Sequence, residues 1–514
     1  MLTPDYLMDV AEPMVELWSR VECDILEDIA RRLVKNGGRM TATASWQTLK
    51  ARELGVLQTG MSRELARMTK LSEAEVQKLV VKACEDALAF DDAMYLKAGY
   101  APIALAESAA LMTVVKAGIR KTNGLMRNFT NTTANTATKA FENALDRAYM
   151  QVLSGAFSYE AALANVIRDL AQKGIERIVY PSGHRTRMDA AARRALLTGL
   201  NQTTAELQLA RMDELGTHLI EVTSHAGARP THAVWQGQVY WHGEKVSGYK
   251  NFEDSTGYGT GDGLCGWNCY HSFFPFFEGI SKQSFERDPA ARLGKSNDQV
   301  YEESQKQRYH ERQIRDARRE CVTYAAARDA AKDPQTKAAM EGLFNEASAK
   351  LKRRENKHNQ FIEETGRTKL NDRLRVVGYN RGVSSKVSAV NRKYSQYHYH
   401  KDGTIVVTDN WKDRGHFSIP SQYMPFAVAD TYSDQYKQID RTYYDAHGAI
   451  SKQVHGGPHG KKKVTYLNDG VHVHDFEDKR RKQYPKNQHG RDLTEQEKRE
   501  NGDLIEARRN QTNP

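Results

Sequence analysis

The sequence predicts an α+β protein whose amino-terminal part is mainly helical, and three observations carry that assignment. Apolar residues recur at three- and four-residue spacing through most of the amino-terminal part, the pattern of helices with one buried face. Between Ser224 and Phe277 that spacing collapses into glycine, histidine, cysteine and aromatic residues. After Leu370, tyrosine, valine and threonine rise between glycine-containing turns, the composition of short strands. These shifts divide the chain into a helical domain over 1–177, a compact Gly/aromatic/Cys/His α+β module over 178–280, a charged helical rod over 281–370 and a small β-rich domain over 371–514. A chain of 514 residues has room for about two to four domains.

Taken in order, Met14, Leu17, Val21, Ile25, Ile29 and Leu33 form one helical stripe over Glu12–Val34, stopped by Asn36-Gly37-Gly38. A second helix is expected to start at Ser72, whose hydroxyl and the Glu75 carboxylate have capping-box spacing, and to run through Val76, Leu79, Val80 and Ala83. Cys84 falls on its apolar stripe, which suits a small buried hydrophobe rather than a reactive thiol. Further helices fit Ile103–Gly118, Lys139–Leu153, Tyr159–Lys173 and Met188–Leu215, with Asn128–Thr138 as a loop or weak helix. Arg185, Arg187, Arg193 and Arg194 gather where the last of these helices begins. They read either as a solvated face or as a face for phosphate, whose geometry guanidinium groups match.

The central stretch carries the residue types of a metal site. Cys265, Cys269 and His271 stand close together, with His225 and His232 upstream, and thiolate and imidazole are good zinc ligands. Four such ligands would cross-link a loop-rich segment with little core of its own. The competing reading makes both cysteines small core residues and bonds the histidines to turn carbonyls. Nearby, AVWQGQVYW reads as a strand or hairpin, with Val234, Trp235, Val239, Tyr240 and Trp241 half-buried.

Composition narrows the function classes. A net charge of +10 and a pI of about 9.1 favour contact with a polyanion. Five cysteines spread over this length are no disulfide framework. No apolar stretch reaches membrane-spanning length, and no charged segment followed by an apolar run opens the chain. The expectation is a soluble protein of a reducing compartment.

The run from YPSGHRTRMDAAARRALLTGLNQTTAELQLARMDELG through SHAGARPTHAVWQGQVYW to GYGTGDGLCGWNCYHSFFPFFEG resembles the minor capsid proteins of tailed bacteriophages, in the Mu F-like head morphogenesis group. The likeness extends over roughly 1–370 and is strongest over 178–280. It implies a few-copy structural head protein, inside the capsid or at the portal vertex of the virion and in the host cytoplasm during assembly. Its implied partners are portal and major capsid proteins and double-stranded DNA, with no membrane. The family supplies no catalytic residues to carry over.

Gln299–Arg367 is dense in Lys, Arg, Glu and Gln, and Asp333-Pro334 marks a break between two long helices, an exposed rod or antiparallel hairpin. In the tail, Asp402-Gly403 reads as a hairpin turn, and Thr494 with Glu497 as a capping box opening a terminal helix over Asp492–Arg509. His472 and His474 stand two apart on a strand and so share a face. With His455 and His459 beside Lys461, Lys462 and Lys463, they could bring imidazole acid/base chemistry to a phosphodiester. Two readings of the tail stay open: a non-catalytic module contacting DNA or a partner, and a virion-delivered nuclease-like or toxin-like effector, the latter by analogy with phage head proteins of this broad type.

Overall fold

The computed structural model describes residues 1–36, 43–154, 157–175, 178–179, 185–413, 418–458, 470–476 and 490–512. It divides into two compact units. One comprises Met1–Met340 with His358–Tyr379; the other comprises Glu341–Lys357 and the chain from Asn380 on.

In the first unit, α1 (Pro4–Asp9) is capped by Thr3, and α2 (Glu12–Asn36) buries the stripe Met14, Val21, Ile25, Ile29 and Leu33. The next helix, α3 (Thr43–Lys97), runs through Ser72 without a break. The expected capping box is therefore absent, because buried Leu57, Leu65 and Met68 carry the apolar stripe upstream of it. Ser72 is buried inside the helix. Similarly, α4 (Ala109–Leu153) joins two predicted helices through Asn128–Thr138, starting at the Ser108 cap rather than at Ile103. Both α5 (Tyr159–Lys173) and α6 (Met188–Leu215) have the predicted bounds. Ser158 caps the first, and Gly216 ends the second in the left-handed conformation. Between them β1 (Ile178–Val179) pairs antiparallel with β2 (Arg185–Thr186).

Helices α4 and α6 approach at two reciprocal small-residue contacts. A Cβ on Gly118 would lie 2.1 Å from Thr203 Oγ1, and one on Gly199 would lie 2.2 Å from Thr122 Oγ1. Helix α6 thereby becomes the platform for a four-stranded sheet. Its strands are β3 (Leu219–Val222), β4 (Val239–Trp241), β5 (Lys250–Asn251) and β6 (Phe273–Pro275), in the order β5-β4-β3-β6. All pairings are antiparallel except β4 with β5. Two short helices, α7 (Pro230–Ala233) and α8 (Phe252–Thr256), interrupt the strands. The predicted strand from Ala233 is thus shortened: α7 ends at its first residue and Val234 is solvent-exposed. Ala205 and Met212 of α6, Tyr95 of α3, and Ile220, Val222, Trp235, Tyr240, Phe252, Phe273 and Phe277 form the core of this module.

Two long helices follow, α9 (Asn297–Ala330) and α10 (Pro334–Thr365), broken where Asp333-Pro334 predicts. Asp333 caps the second through the Thr336 N–H. Helix α9 is not an exposed rod. It packs against α2 and α5, and its charges are used internally: buried Arg319 pairs with buried Glu22 at 2.6 Å. Cys321 of this helix is fully buried. Among the described residues, no helix is long and apolar enough to cross a membrane.

The second unit is built on a five-stranded sheet in the order β11-β10-β9-β8-β7. Helix α11 (Arg381–Lys393) precedes β7 (Asp409–Asn410), β8 (Val428–Ser433), β9 (Gln438–Tyr444), β10 (Ile450–His455) and β11 (His472–Asp475). The run around Asp402-Gly403 forms only a single bridge, Tyr399 to Ile405, rather than two strands. Terminal helices α12 (Glu495–Glu500) and α13 (Gly502–Thr512) replace the one helix expected, and the Thr494/Glu497 capping box is present. Buried Asn501 separates them, held by the Tyr443 hydroxyl at 2.9 Å. On β9, Arg441 is fully buried and binds Asp430 and Asp503 through paired bonds of 2.7–3.0 Å.

Candidate functional site

The loop between α8 and β6 folds on itself. The Leu264 N–H donates to Thr256 O at 3.0 Å, the Trp267 N–H to Gly261 O at 2.7 Å and the Cys269 N–H to Gly266 O at 3.2 Å. A Cβ on Gly263 would sit 1.8 Å from the Gly257 carbonyl oxygen, so no other residue fits there. Cys265 and Asn268 adopt positive φ, 59° and 53°, the strain of so tight a path. Below the loop, the buried Asn201 amide of α6 donates to the carbonyls of Cys269 (3.2 Å) and His271 (3.0 Å). Gln208, two turns on, donates to Asp91 and to the Phe273 carbonyl, both at 2.7 Å.

This scaffold brings three of the five sequence candidates together. His232 Nδ1 lies 3.8 Å from Cys269 Sγ, and His271 Nδ1 lies 3.6 Å from it. The ligand atoms of these three residues are all within 4.8 Å of one another, and each residue is buried. Cys265 is left out of the group: it packs in the module core, its thiol facing the His271 carbonyl at 3.8 Å. His225 packs on His271 with ring centroids 4.6 Å apart and the rings tilted by 32°, while its own Nδ1 faces the Ala226 carbonyl. Burial pushes the Cys269 thiol up to about 11 and holds His232 and His271 below the usual imidazole range, so without a cation the centre is uncharged near neutrality.

His225, His232, Cys269 and His271 line a cleft of about 460 Å³ whose walls are rich in arginine. Arg187, Arg193, Arg194, Arg229, Arg308, Arg312, Arg315, Arg367 and Arg373 line it, against the carboxylates Asp189 and Glu311. Part of this charge is balanced from behind: Arg187 pairs with Asp316, Arg193 with Glu12, and Arg315 with Asp189 at 3.5 Å. Arg308 lies over the Tyr270 ring, 5.4 Å from its centroid. Burial depresses Arg367; neighbouring Arg308 and Arg373 act in the same direction, and Glu303, 4.0 Å away, and Glu311 oppose them. Three of the four arginines singled out in sequence therefore share one cleft. Arg185 lies on β2. The arginines of α9 and of Arg367 and Arg373 escaped sequence reading because no local spacing joins them to the others.

In the second unit, β10 and β11 place His455 opposite His472. Their rings stack at 5.2 Å, and His474 closes the group with its Nε2 3.1 Å from His472 Nε2. His455 Nδ1 lies 3.1 Å from Asp440. His459, Lys461, Lys462 and Lys463 lie outside the described residues.

A family model described as phage minor capsid protein 2 matches residues 2–363. The chain is also 26% identical over 195 residues to a structural protein of Lactococcus phage LL-H, covering 36% of this chain and 50% of that protein. It thus spans about half the length of the curated relative it matches. No solved structure matches the chain.

Proposed function

Because the chain belongs to the phage minor capsid protein 2 family, we propose that it is a few-copy structural component of a tailed-phage head. In this reading it sits at the portal vertex or inner capsid surface, contacts portal and major capsid proteins, and touches packaged double-stranded DNA. The observation that carries it is the length of the family match, 2–363, which takes in the sheet module, the helices around it and the metal-type centre. The arginine-lined cleft and the +10 net charge support the DNA contact, since guanidinium groups facing solvent attract phosphate without reading sequence. Proteomics and cross-linking of purified heads test the placement. The chain should appear in a few copies per particle, cross-linked to portal or capsid subunits. Heads that contain none at any assembly stage overturn the reading. For DNA, affinity should fall steeply as salt rises, and an Arg308→Gln/Arg312→Gln variant should show a shallower salt slope. Affinity insensitive to salt removes DNA from the proposal.

A second reading is favoured by the clustering of His455, His472 and His474: a nucleic-acid-cleaving effector carried by the particle. Full-length protein incubated with RNA and DNA, beside His474→Ala, decides it. Equal inactivity of the two eliminates the enzyme.

A further inference from the structure

We infer that His232, Cys269 and His271 hold a zinc ion with three protein ligands, and that its fourth coordination position opens into the arginine-lined cleft. The donor set and its surroundings are the same whether or not the chain has the proposed assembly role.

In a tetrahedral site with Zn–S about 2.3 Å and Zn–N about 2.0–2.1 Å, sulfur and nitrogen ligands stand about 3.6 Å apart. The observed separations are 3.6 Å for His271 and 3.8 Å for His232. Both sulfur–nitrogen separations match such a site, and the two Nδ1 atoms lie within 4.8 Å of each other.

Proton accounting decides between a metal site and a knot of buried polar residues. His232 Nε2 faces the Asp262 carbonyl at 2.8 Å, an acceptor only, so that nitrogen carries the ring proton. His271 Nε2 faces Gln236 Oε1 at 2.9 Å. The orientation of that amide is set by its other contacts: Oε1 also accepts the His225 N–H, and Nε2 donates to the Arg287 carbonyl. Both Nδ1 atoms are consequently bare lone pairs directed at Cys269 Sγ. One S–H can serve only one of them, which leaves a buried acceptor with no proton. A thiolate serves neither, but it can accept the His271 backbone N–H, whose nitrogen lies 3.4 Å from the sulfur. Zinc satisfies the thiolate and both lone pairs at once. The carbonyl and amide behind the rings are then the outer partners that fix tautomer and ring orientation at metal sites.

Cys265 is not a ligand in this arrangement, which separates the site from a four-residue structural cross-link. With a thiolate and two neutral imidazoles the bound ion keeps a net charge of about +1, among arginines, so its open position favours water or an anionic oxygen.

The test uses the full chain purified without chelators. Elemental analysis should give one zinc per chain, lost in Cys269→Ser and retained in Cys265→Ser. Replacement by cobalt(II) should give the intense visible bands of a tetrahedral site and a thiolate-to-cobalt absorption in the near ultraviolet. Inorganic phosphate should shift the visible bands if the fourth position faces the cleft. A folded chain that is metal-free and takes up neither zinc nor cobalt overturns the site, as does zinc retained in Cys269→Ser. Loss of metal in Cys265→Ser, or bands unmoved by phosphate, overturns the three-ligand, open-site form. Should Cys269→Ser fail to fold, the cobalt spectrum of the unaltered chain decides alone: no thiolate band refutes the assignment.

Discussion

Arg441→Met offers a sharp test of how the second unit is held together. The guanidinium is fully buried on β9 and binds Asp430 at 2.8 and 3.0 Å and Asp503 at 2.9 and 2.7 Å. Asp503 is about half exposed and can turn to water when the arginine is lost. Asp430 cannot: its side chain is 3% exposed, and among the described residues the other cation paired with it, Lys412, stands 3.8 Å away. The substitution therefore strands one carboxylate in the core, which costs about 3–5 kcal/mol. At about 1.4 kcal/mol per factor of ten, amide exchange in β8–β10 should quicken by roughly two to three and a half orders of magnitude. Adding Asp430→Leu removes the stranded charge, and replacing both members of a buried pair with apolar groups is often close to neutral. The double variant should therefore recover most of the loss. Hydrogen exchange followed by mass spectrometry on the full chain reads both effects. Exchange in Arg441→Met within threefold of the parent refutes the reasoning, as does a double variant no slower than the single.

Further expectations concern the loop, its platform and the terminal helices. Gly263→Ala drives a methyl into the Gly257 carbonyl and should destabilise the first unit by about 1–3 kcal/mol or more, whereas Gly55→Ala, with open space around it on α3, should stabilise by up to about 1 kcal/mol; calorimetric melting temperatures compare them. Asn201→Ala withdraws the donor shared by the Cys269 and His271 carbonyls and should cost about 1–3 kcal/mol in urea unfolding. Burial acts to raise Glu497, but Arg491, at 2.8 and 2.9 Å, and the Thr494 N–H outweigh it and hold the carboxyl down to about 2. A depressed carboxyl stabilises the fold above its unfolded value of about 4.3 and loses that contribution as pH falls through the folded value. The second unit should thus weaken between about pH 4.5 and 2, and Glu497→Gln should flatten that limb in pH-dependent unfolding.

Sequence legibility followed the range over which each signal acts. The bounds of α5 and α6 are local facts, set by Ser158 at one start and by Gly174 and Gly216 at the ends, and the pattern reads them directly. Ser72 misleads for the same reason: its spacing to Glu75 is local, while the stripe through Leu57, Leu65 and Met68 that continues the helix lies upstream. The centre was legible as residue types. What chose His232 over Cys265 was the fold of the loop, where Cys265 turns into the apolar core through its positive φ. The cleft was legible only in part, because its walls come from segments more than a hundred residues apart. The internal pairing of α9 likewise depends on Glu22, 297 positions away from Arg319.

Helix α10 lends its middle, Glu341–Lys357, to the second unit and its two ends to the first. Ala349 stands in the core formed with Tyr394, Trp411, Tyr423 and Tyr444, and Arg353 Nη1 donates to the Tyr423 carbonyl at 2.6 Å. No single cut therefore yields both halves whole. A tail freed at residue 371 leaves one wall of its interior behind, and a head piece ended at 340 forfeits the helix's final turns. An excision that keeps the sheet's interior closed must carry Glu341–Lys357 with it.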